Sequence, residues 1–238
     1  MNQQHKLNIV AFIFARKGSK GLKGKNLKKI DQKYLIDFSI STAKKLGVNE
    51  IVVSSNIKKL LKYSKKQKIF TINRPEKLCL DSSSEYLAWK HAVNYYQKKN
   101  KKIDIFISLP LVTPLRKTTD TKKALNYYIK NLNKLDVLIS VNKSDAYPNF
   151  NLLVEKKKYL KLLSKDKIFR RQDGKPIYKI TPCFYISNPK YILSNNHFLN
   201  GKIQGYEVDK LSSIDINDDE DYQLCKIIYK SKYKNKKY

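Results

Sequence analysis

The sequence predicts an α/β domain built on a mainly parallel sheet. Short apolar, β-branched runs alternate with segments whose apolar residues recur at helical spacing, and short turns join the two kinds of segment. Helices cover both faces of such a sheet, so its strands are expected to be continuous apolar runs. The 238 residues suit one domain, residues 1–238, with a sizeable core.

The elements are predicted in chain order. The first strand is Ile9–Phe14, and the first helix carries Leu35, Phe38 and Leu46 on one face and ends at Gly47. The alternation continues with strands at 51–53, 68–72, 103–109 and 137–141 and with helices at 60–66, 84–96 and 120–130. In the helix at 84–96, the residues at helical spacing are Leu87, Ala88, His91, Ala92 and Tyr95.

Residues 144–182 interrupt the alternation and are interpreted as an inserted arm. The segment is rich in apolar residues and poor in turn signals, so a short excursion cannot bury it alone. Apolar surface of this kind marks an interface, and we expect a two-fold homodimer. Strands at 183–187 and about 203–208 and a helix around 224–228 complete the domain, and the lysine-rich tail after Tyr229 is expected to fray.

The charge is high but evenly spread. Lys and Arg number 50 against 20 Asp and Glu, which gives a net charge of +30, yet only five of the basic residues are arginine. Nucleic-acid binders usually concentrate charge on one face and use arginine, so we expect no nucleic-acid partner. The apolar runs fall short of the ~20 residues that a membrane helix needs. Without a signal-peptide pattern, and with three scattered cysteines, a cytoplasmic location and no membrane partner are expected.

Residues 15–26 form the most informative loop of the chain. Three of the seven glycines fall within it, directly after the first strand. Glycines let the backbone approach a phosphate closely, and the basic side chains of this loop supply positive charge. The loop lacks the Gly-Lys-Ser/Thr of a Walker A motif. It therefore predicts a triphosphate site, with a basic surface turn as the alternative.

A second cluster, acidic, lies near the end of the chain. Asp215 and Asn217 alternate along an expected strand and so face one side, which suits a hard cation with oxygen ligands. The acids at 218–221 suit the positive end of the last helix. The sequence thus predicts Asp215 and Asn217 as ligands of a hard cation.

These motifs resemble the CMP-sialic acid synthetase family. Its nucleotide loop is similar to Ala15-Arg16, Gly18-Ser19-Lys20 and Lys25-Asn26. Later matches keep the family's order, over roughly residues 8–228: Arg74-Pro75, Asp81-Ser82-Ser83-Ser84, Thr113-Pro114-Leu115-Arg116, Arg170-Arg171-Gln172 and Ser213-Ile214-Asp215-Ile216.

The resemblance implies a Rossmann-like nucleotidyltransferase that uses Mg²⁺ to transfer CMP from CTP to the anomeric hydroxyl of a nonulosonic acid, with release of pyrophosphate. The implied catalytic residues are Arg16, Lys25 and Asp215. The implied CTP contacts are Ala15, Arg16, Lys20, Asn26, Arg74, Ser83 and Ser84. The implied contacts to the sugar acid are Arg116, Arg170 and Arg171, and the family's arm exchanges across a dimer.

Three positions depart from the family's pattern. Asn217 stands at the second acidic position of the metal motif, and Glu85 stands where some members have a small hydroxyl residue. Leu109-Pro110-Leu111-Val112 replaces a polar segment near the sugar. The identity of the sugar acid therefore stays open. For the function as a whole, one alternative is a CMP-Kdo-type synthetase, and another is a non-catalytic or nucleic-acid-binding homologue.

Overall fold

The predicted apolar runs become the strands of one large sheet. A computed structural model describes residues 7–164, 168 and 170–234, without the side chains of residues 171, 233 and 234. The strands are β1 (Ile9–Ala15), β2 (Lys29–Ile30), β3 (Lys33–Tyr34), β4 (Glu50–Ser55), β5 (Phe70–Asn73), β6 (Ile105–Ser108), β7 (Val137–Lys143), β8 (Leu153–Lys156), β9 (Tyr159–Leu162), β10 (Tyr178–Ser187) and β11 (Ile203–Glu207). The helices are α1 (Leu35–Leu46), α2 (Lys58–Lys66), α3 (Glu85–Gln97), α4 (Thr118–Lys130), α5 (Pro189–Ser194) and α6 (Asp219–Lys234).

The main sheet has the order β11-β7-β10-β6-β1-β4-β5. Strands β6, β1, β4 and β5 are parallel neighbours, and β11 is parallel to β7. Strand β10 is antiparallel to both of its neighbours, β6 and β7. The predicted α/β, Rossmann-like fold with a mainly parallel sheet is confirmed.

Both faces of β1 are buried, which explains its unbroken apolar sequence. Ala11, Ile13 and Ala15 belong to the core on one face of the sheet, whereas Phe12 and Phe14 belong to the core on the other. Successive side chains of a strand point to opposite faces, so a strand between two helical layers needs apolar residues at every position. Because β1 is held on both faces, the loop that follows it begins at a fixed place at the edge of the sheet.

Helix α3 covers the aromatic face of the sheet, and it buries Ala88 and Ala92 from the predicted helical pattern. Tyr86, Trp89 and Val93 are buried, whereas Leu87 and Tyr95 are 46% and 38% exposed. Trp89 packs against the rings of Phe14, Phe106, Tyr185 and Phe198. Large aromatic side chains bury more apolar area than leucine does, and here they determine which side of α3 faces the sheet.

Gly47 ends α1 as predicted. It adopts a left-handed backbone with φ of +70°, and its N–H donates to the carbonyl of Lys44. At the other end of the helix, the Asp37 carboxylate accepts a hydrogen bond from the Tyr34 N–H at 2.8 Å. The last helix, in contrast, extends to Lys234, beyond the position where the tail was expected to fray.

The predicted arm contains a two-stranded hairpin, β8–β9. The main sheet resumes at Tyr178, inside the predicted arm, because β10 is one strand that runs from the arm into the sheet. The first part of β10 pairs Ile180 with Val141, and the second part pairs Tyr185 with Ile139. Residues 181–184 therefore form an irregularity between two registers.

A fully buried serine of β7 satisfies the backbone of this irregularity. The Ser140 hydroxyl donates to the Thr181 carbonyl at 2.7 Å and accepts from the N–H groups of Cys183 and Phe184, each at 3.1 Å. Those N–H groups lie where the ladder between β10 and β7 is interrupted. Because a buried donor without a partner costs free energy, Ser140 makes the irregularity tolerable.

We expect Ser140→Ala to lower the free energy of unfolding by about 2–3 kcal/mol, because it leaves two buried N–H groups without an acceptor. Chemical denaturation followed by circular dichroism measures the change. The matched control is Ser41→Ala, on the exposed face of α1, which should stay within about 0.5 kcal/mol of the wild type. Equal stabilities of the two variants would contradict the role of Ser140.

Candidate active site

A cleft of about 450 Å³ opens at the carboxyl ends of β1 and β6, beside β10. This is the edge at which open α/β sheets bind ligands. Among the sequence-predicted site residues, those that line the cleft are Ala15, Arg16, Lys20, Lys25, Asn26, Asp215 and Asn217. The structure thus brings together two segments that are nearly 200 residues apart in the sequence.

The loop after β1 folds back on itself. The Asn26 amide, 7% exposed, donates to the Arg16 carbonyl at 2.7 Å and so joins the two ends of the loop. The Lys17 N–H donates to the Asn56 side chain at 2.8 Å, which ties the loop to the segment after β4. Gly24 adopts a left-handed backbone with φ of +67°, a conformation that glycine adopts without strain.

A tight contact joins this loop to the segment 215–217. The Lys25 ammonium donates to the Ile216 carbonyl at 2.6 Å. Gly21 lies directly against the Asn217 carbonyl, so close that a side chain on residue 21 would overlap with it. The Ile216 N–H donates in turn to the Val112 carbonyl at 3.0 Å, which holds the segment to the chain that follows β6.

Lys25 and Asp215 form a half-buried pair of opposite charge within the cleft. Burial lowers the pKa of Lys25, and the nearby Asp215 and Asp221 carboxylates oppose that shift. Burial raises the pKa of Asp215, and the charge of Lys25 opposes that shift. Each group thus reduces the cost of keeping the other charged in a partly desolvated site.

Asp215 presents an oxygen that suits a cation. Its Oδ1 is buried and, within the described part of the chain, has no hydrogen-bond partner. The Asn217 side chain donates to the Asp215 carbonyl at 3.2 Å. No group of three or more His, Cys, Asp or Glu side chains with metal-binding geometry occurs among the described residues. The donor set fits Mg²⁺, which takes one or two protein oxygens and completes its shell with phosphates and water.

Arg16 and Lys20 share one carboxylate. The Asp81 Oδ1 accepts from Arg16 Nη1 at 2.7 Å, and its Oδ2 lies 2.8 Å from Lys20 Nζ. Arg16 Nη1 also donates to the Cys79 carbonyl at 3.1 Å. Hydrogen bonds from Lys20 and Arg16 hold the pKa of Asp81 below its ordinary range.

Two arginines that were expected to contact substrates are buried within the protein. Arg74 is 4% exposed, lies behind the Phe14 ring and donates to the Ser54 carbonyl at 2.8 Å. Arg116 is 8% exposed, and its guanidinium donates to the Pro110 carbonyl and to the Thr113 hydroxyl. Neither side chain lines the cleft. Protein oxygens accept hydrogen bonds from both guanidinium groups, and the contact of Arg74 and Arg116 with substrates stays a prediction.

The two predicted serine contacts lie in the turn before α3. The Ser83 hydroxyl donates to the Lys77 carbonyl at 2.6 Å. The Ser84 hydroxyl accepts from the Tyr86 N–H at 3.1 Å and so caps α3. Neither residue lines the cleft. Their contact with CTP stays a prediction.

Arg170, the first arginine of the pair in the arm, does not line the cleft of its own chain. Arg170 is exposed and pairs with Asp173, whose Oδ1 lies 3.0 Å from Arg170 Nη2. The side chain of Arg171 lies outside the described residues. Their proposed contact with the sugar acid stays a prediction that requires a second subunit.

Several cleft residues escaped the site prediction. Pro182 and Tyr185 line the cleft because β10 runs antiparallel beside β6, a placement that no local motif encodes. Glu85 also lines it, and its Oε1 accepts from the Trp89 indole N–H at 3.1 Å. Solvent reaches Glu85, yet the surrounding protein raises the pKa of its carboxyl group. In the sequence, the feature that could have indicated Glu85 as a site residue is its position in the first turn of a predicted helix.

Comparison with known proteins assigns this architecture to a family. The sequence matches the family described as cytidylyltransferase over residues 10–233. The chain belongs to the cytidylyltransferase family. The matched residues include both parts of the cleft, the glycine-rich loop and the segment around Asp215.

Several curated proteins are similar to the chain at moderate identity. It is 27% identical to the N-acylneuraminate cytidylyltransferase of Streptococcus agalactiae serotype III over 90% of its length, and 26% identical to that of Escherichia coli O18:K1:H7 over 96%. The chain spans about half the length of these relatives, 51% and 54%. It is 28% identical to a post-translational flagellin modification protein B of Campylobacter coli, covering 94% of the chain and 96% of that protein.

A solved structure shares the fold. The chain superposes on a CMP:2-keto-3-deoxy-manno-octonic acid synthetase complexed with CTP, with a TM-score of 0.68 and 18% identity. The match covers 94% of this chain and 98% of that protein. In the described residues, no helix has the length and apolar character needed to cross a membrane.

We expect Gly21→Ala to separate the loop from the segment 215–217, because its methyl group would overlap with the Asn217 carbonyl. Hydrogen–deuterium exchange of residues 19–26 and 215–217 should rise in this variant. The control is Gly24→Asn, because residue 24 has open space and asparagine tolerates a left-handed backbone. Unchanged exchange in Gly21→Ala would contradict the close contact.

Proposed function

We propose that this cytidylyltransferase transfers CMP from CTP to the anomeric hydroxyl of a nonulosonic, sialic-acid-like sugar acid and releases pyrophosphate. The observation that carries the proposal is the meeting of Arg16, Lys20 and Lys25 with Asp215 in one cleft. Relatives named N-acylneuraminate cytidylyltransferase support the choice of substrates. Because CTP is a cytoplasmic metabolite, we place the reaction in the cytoplasm.

The chain's own residues would act by positioning and by neutralising charge. Arg16, Lys20 and Lys25 would bind the triphosphate, with Ala15 and Asn26 at the ends of the same loop. The sugar hydroxyl would attack the α-phosphorus in line with the departing pyrophosphate, whose negative charge the loop cations stabilise. Transfer at phosphorus depends mainly on such electrostatic stabilisation and alignment. The proposal assigns no side chain as the general base.

Asp215, with Asn217, would hold Mg²⁺ in this reaction. When bound, Mg²⁺ polarises phosphate oxygens and neutralises part of their charge. The charge of Lys25 opposes the rise that burial causes in the pKa of Asp215, which favours the ionised carboxylate needed for that role. Asn217 provides an amide oxygen in place of a second carboxylate, which is a weaker ligand for a hard cation.

The wall opposite the loop bears on the identity of the sugar acid. Pro110, Leu111 and Val112 line the cleft and offer apolar surface where the family has polar residues. Arg116 supports this wall through its bond to the Pro110 carbonyl. The apolar character of this wall leaves open which nonulosonic acid binds, with N-acetylneuraminate as one of the candidates. The fold shared with a 2-keto-3-deoxy-manno-octonic acid synthetase keeps an eight-carbon acid as the second candidate.

We further propose that the arm forms a homodimer. Leu153 and Leu160 lie on one face of the β8–β9 hairpin and are 56% and 66% exposed. Exposed leucines on a hairpin that projects from the main sheet are typical of a subunit interface. Arg170 and Arg171 follow the hairpin in the sequence and would then serve the sugar site of the other subunit.

The test of the activity is pyrophosphate release, with each of the four nucleoside triphosphates and a panel of nonulosonic and ulosonic acids. We expect Mg²⁺-dependent release with CTP. Arg16→Lys keeps the charge but loses the planar fork, so turnover should fall about tenfold or more, an increase in the barrier of about 1.4 kcal/mol. Absence of release with every pair would contradict the proposal and favour a non-catalytic or nucleic-acid-binding homologue.

The lowered pKa of Lys25 predicts how CTP binding depends on pH. The ammonium attracts phosphate only below its pKa, so affinity should fall as the pH rises through a value below the ordinary ~10.4 of lysine. In Lys25→Arg the guanidinium stays charged, so the loss of affinity should move to higher pH. Calorimetric titration between pH 7 and 10.5 measures both, with Lys23→Arg, in the same loop, as the control. Identical profiles in all three proteins would exclude Lys25 from the phosphate site.

The arm predicts a separable effect on assembly. Leu153→Asp combined with Leu160→Asp should give a monomer that binds CTP with unchanged affinity but turns over slowly, because the sugar site lacks its partner's arginines. Removal of residues 150–168 should act in the same way. Sedimentation velocity and pyrophosphate release measure the two effects, and an active wild-type monomer would refute the dimer.

A further inference from the structure

One carboxylate joins two cations that line the cleft. Asp81 reaches Arg16 and Lys20 from the turn before α3, and each of its two oxygens contacts a different cation. The distances, 2.7 Å to Arg16 Nη1 and 2.8 Å to Lys20 Nζ, are those of charge-assisted hydrogen bonds. Two adjacent oxygens of a bound phosphate would accept hydrogen bonds from the same two donors, Arg16 Nη1 and Lys20 Nζ. Asp81 and a polyphosphate therefore compete for Arg16 and Lys20.

The Asp81 contacts are suited to displacement. The side chains of Arg16, Asp81 and Lys20 are 37%, 45% and 78% exposed, so water can replace each contact at small cost. The turn that carries Asp81 is held independently, because the Ser83 hydroxyl donates to the Lys77 carbonyl and Ser84 caps α3. Release of the carboxylate from the two cations need not unfold the turn.

Charge composition makes the position of Asp81 notable. The chain has 20 acidic residues against 50 basic ones. There are therefore too few carboxylates to give each basic side chain its own partner. An ionised aspartate beside the phosphate loop reduces the attraction for anions at the place where the proposed substrate binds. Its lowered pKa keeps it charged at neutral pH.

We propose that Asp81 is a displaceable counterion that limits the affinity of the loop for polyphosphate. Asp81 positions Arg16 and Lys20 in the free protein. Its contacts with both cations break when the triphosphate binds and form again as pyrophosphate leaves. The inference rests on the proposed function in taking a polyphosphate as the ligand. As a consequence, the protein binds polyphosphate less tightly and releases its product faster.

The experiment is calorimetric titration of the full chain with inorganic tripolyphosphate and with pyrophosphate. Asp81→Asn should bind both about fivefold more tightly than the wild type at low salt, and the difference should shrink at high salt because exposed charges are screened. Asp81→Glu keeps the charge and should bind nearly as the wild type does. The matched control is Asp145→Asn, which removes an exposed carboxylate paired with Lys210 away from the cleft.

A second measurement separates competition from simple support of the loop. Stopped-flow displacement should give slower dissociation of pyrophosphate from Asp81→Asn than from the wild type. If Asp81 only supported the loop, its loss would weaken binding and speed dissociation. Equal or weaker binding by a folded Asp81→Asn overturns the inference and leaves the proposed function intact. Absence of polyphosphate binding in every folded variant overturns both.

Discussion

The cleft depends on the contact between the glycine-rich loop and the segment 215–217. Lys25 donates to the Ile216 carbonyl, and Gly21 lies against the backbone of Asn217. These contacts join the first loop of the chain to the segment before its last helix, and they place Lys25 beside Asp215. A charged residue can remain half-buried there because its opposite charge is adjacent. Without this contact, the cations and the carboxylate would belong to separate surfaces.

The few arginines show that one side-chain property serves two purposes. A planar fork suits phosphate or carboxylate, and it equally suits a set of backbone carbonyls. Arg74 and Arg116 use it for the second purpose, beneath Phe14 and beneath Pro110. Both therefore shape the cleft from behind its wall. Arg16, in contrast, is partly exposed and lies in the cleft.

Local sequence information predicted the features that local physics determines. The apolar run of β1, the glycines of the loop and the helix end at Gly47 each follow from the conformational preferences of a few adjacent residues. The direction of β10 and the exposure of Leu87 and Tyr95 on α3 depend on packing partners far away in the chain. Pro182 and Tyr185 enter the cleft only through that long-range pairing. The same limit applies to Arg116, whose burial no neighbouring residue signals.

The two halves of strand β10 pair with β7 in different registers. The alternation of side chains in one half therefore does not determine the alternation in the other. The alternation of side chains in the half that lines the cleft is fixed by pairing with β6 and β7, whereas the other half follows its own register with β7. The irregular residues 181–184, held by Ser140, absorb the difference. A slip of one residue in the arm half would turn its own side chains over but would leave Tyr185 facing the cleft. The arm can therefore diverge in length and sequence while the chemistry at the centre of the sheet stays constant.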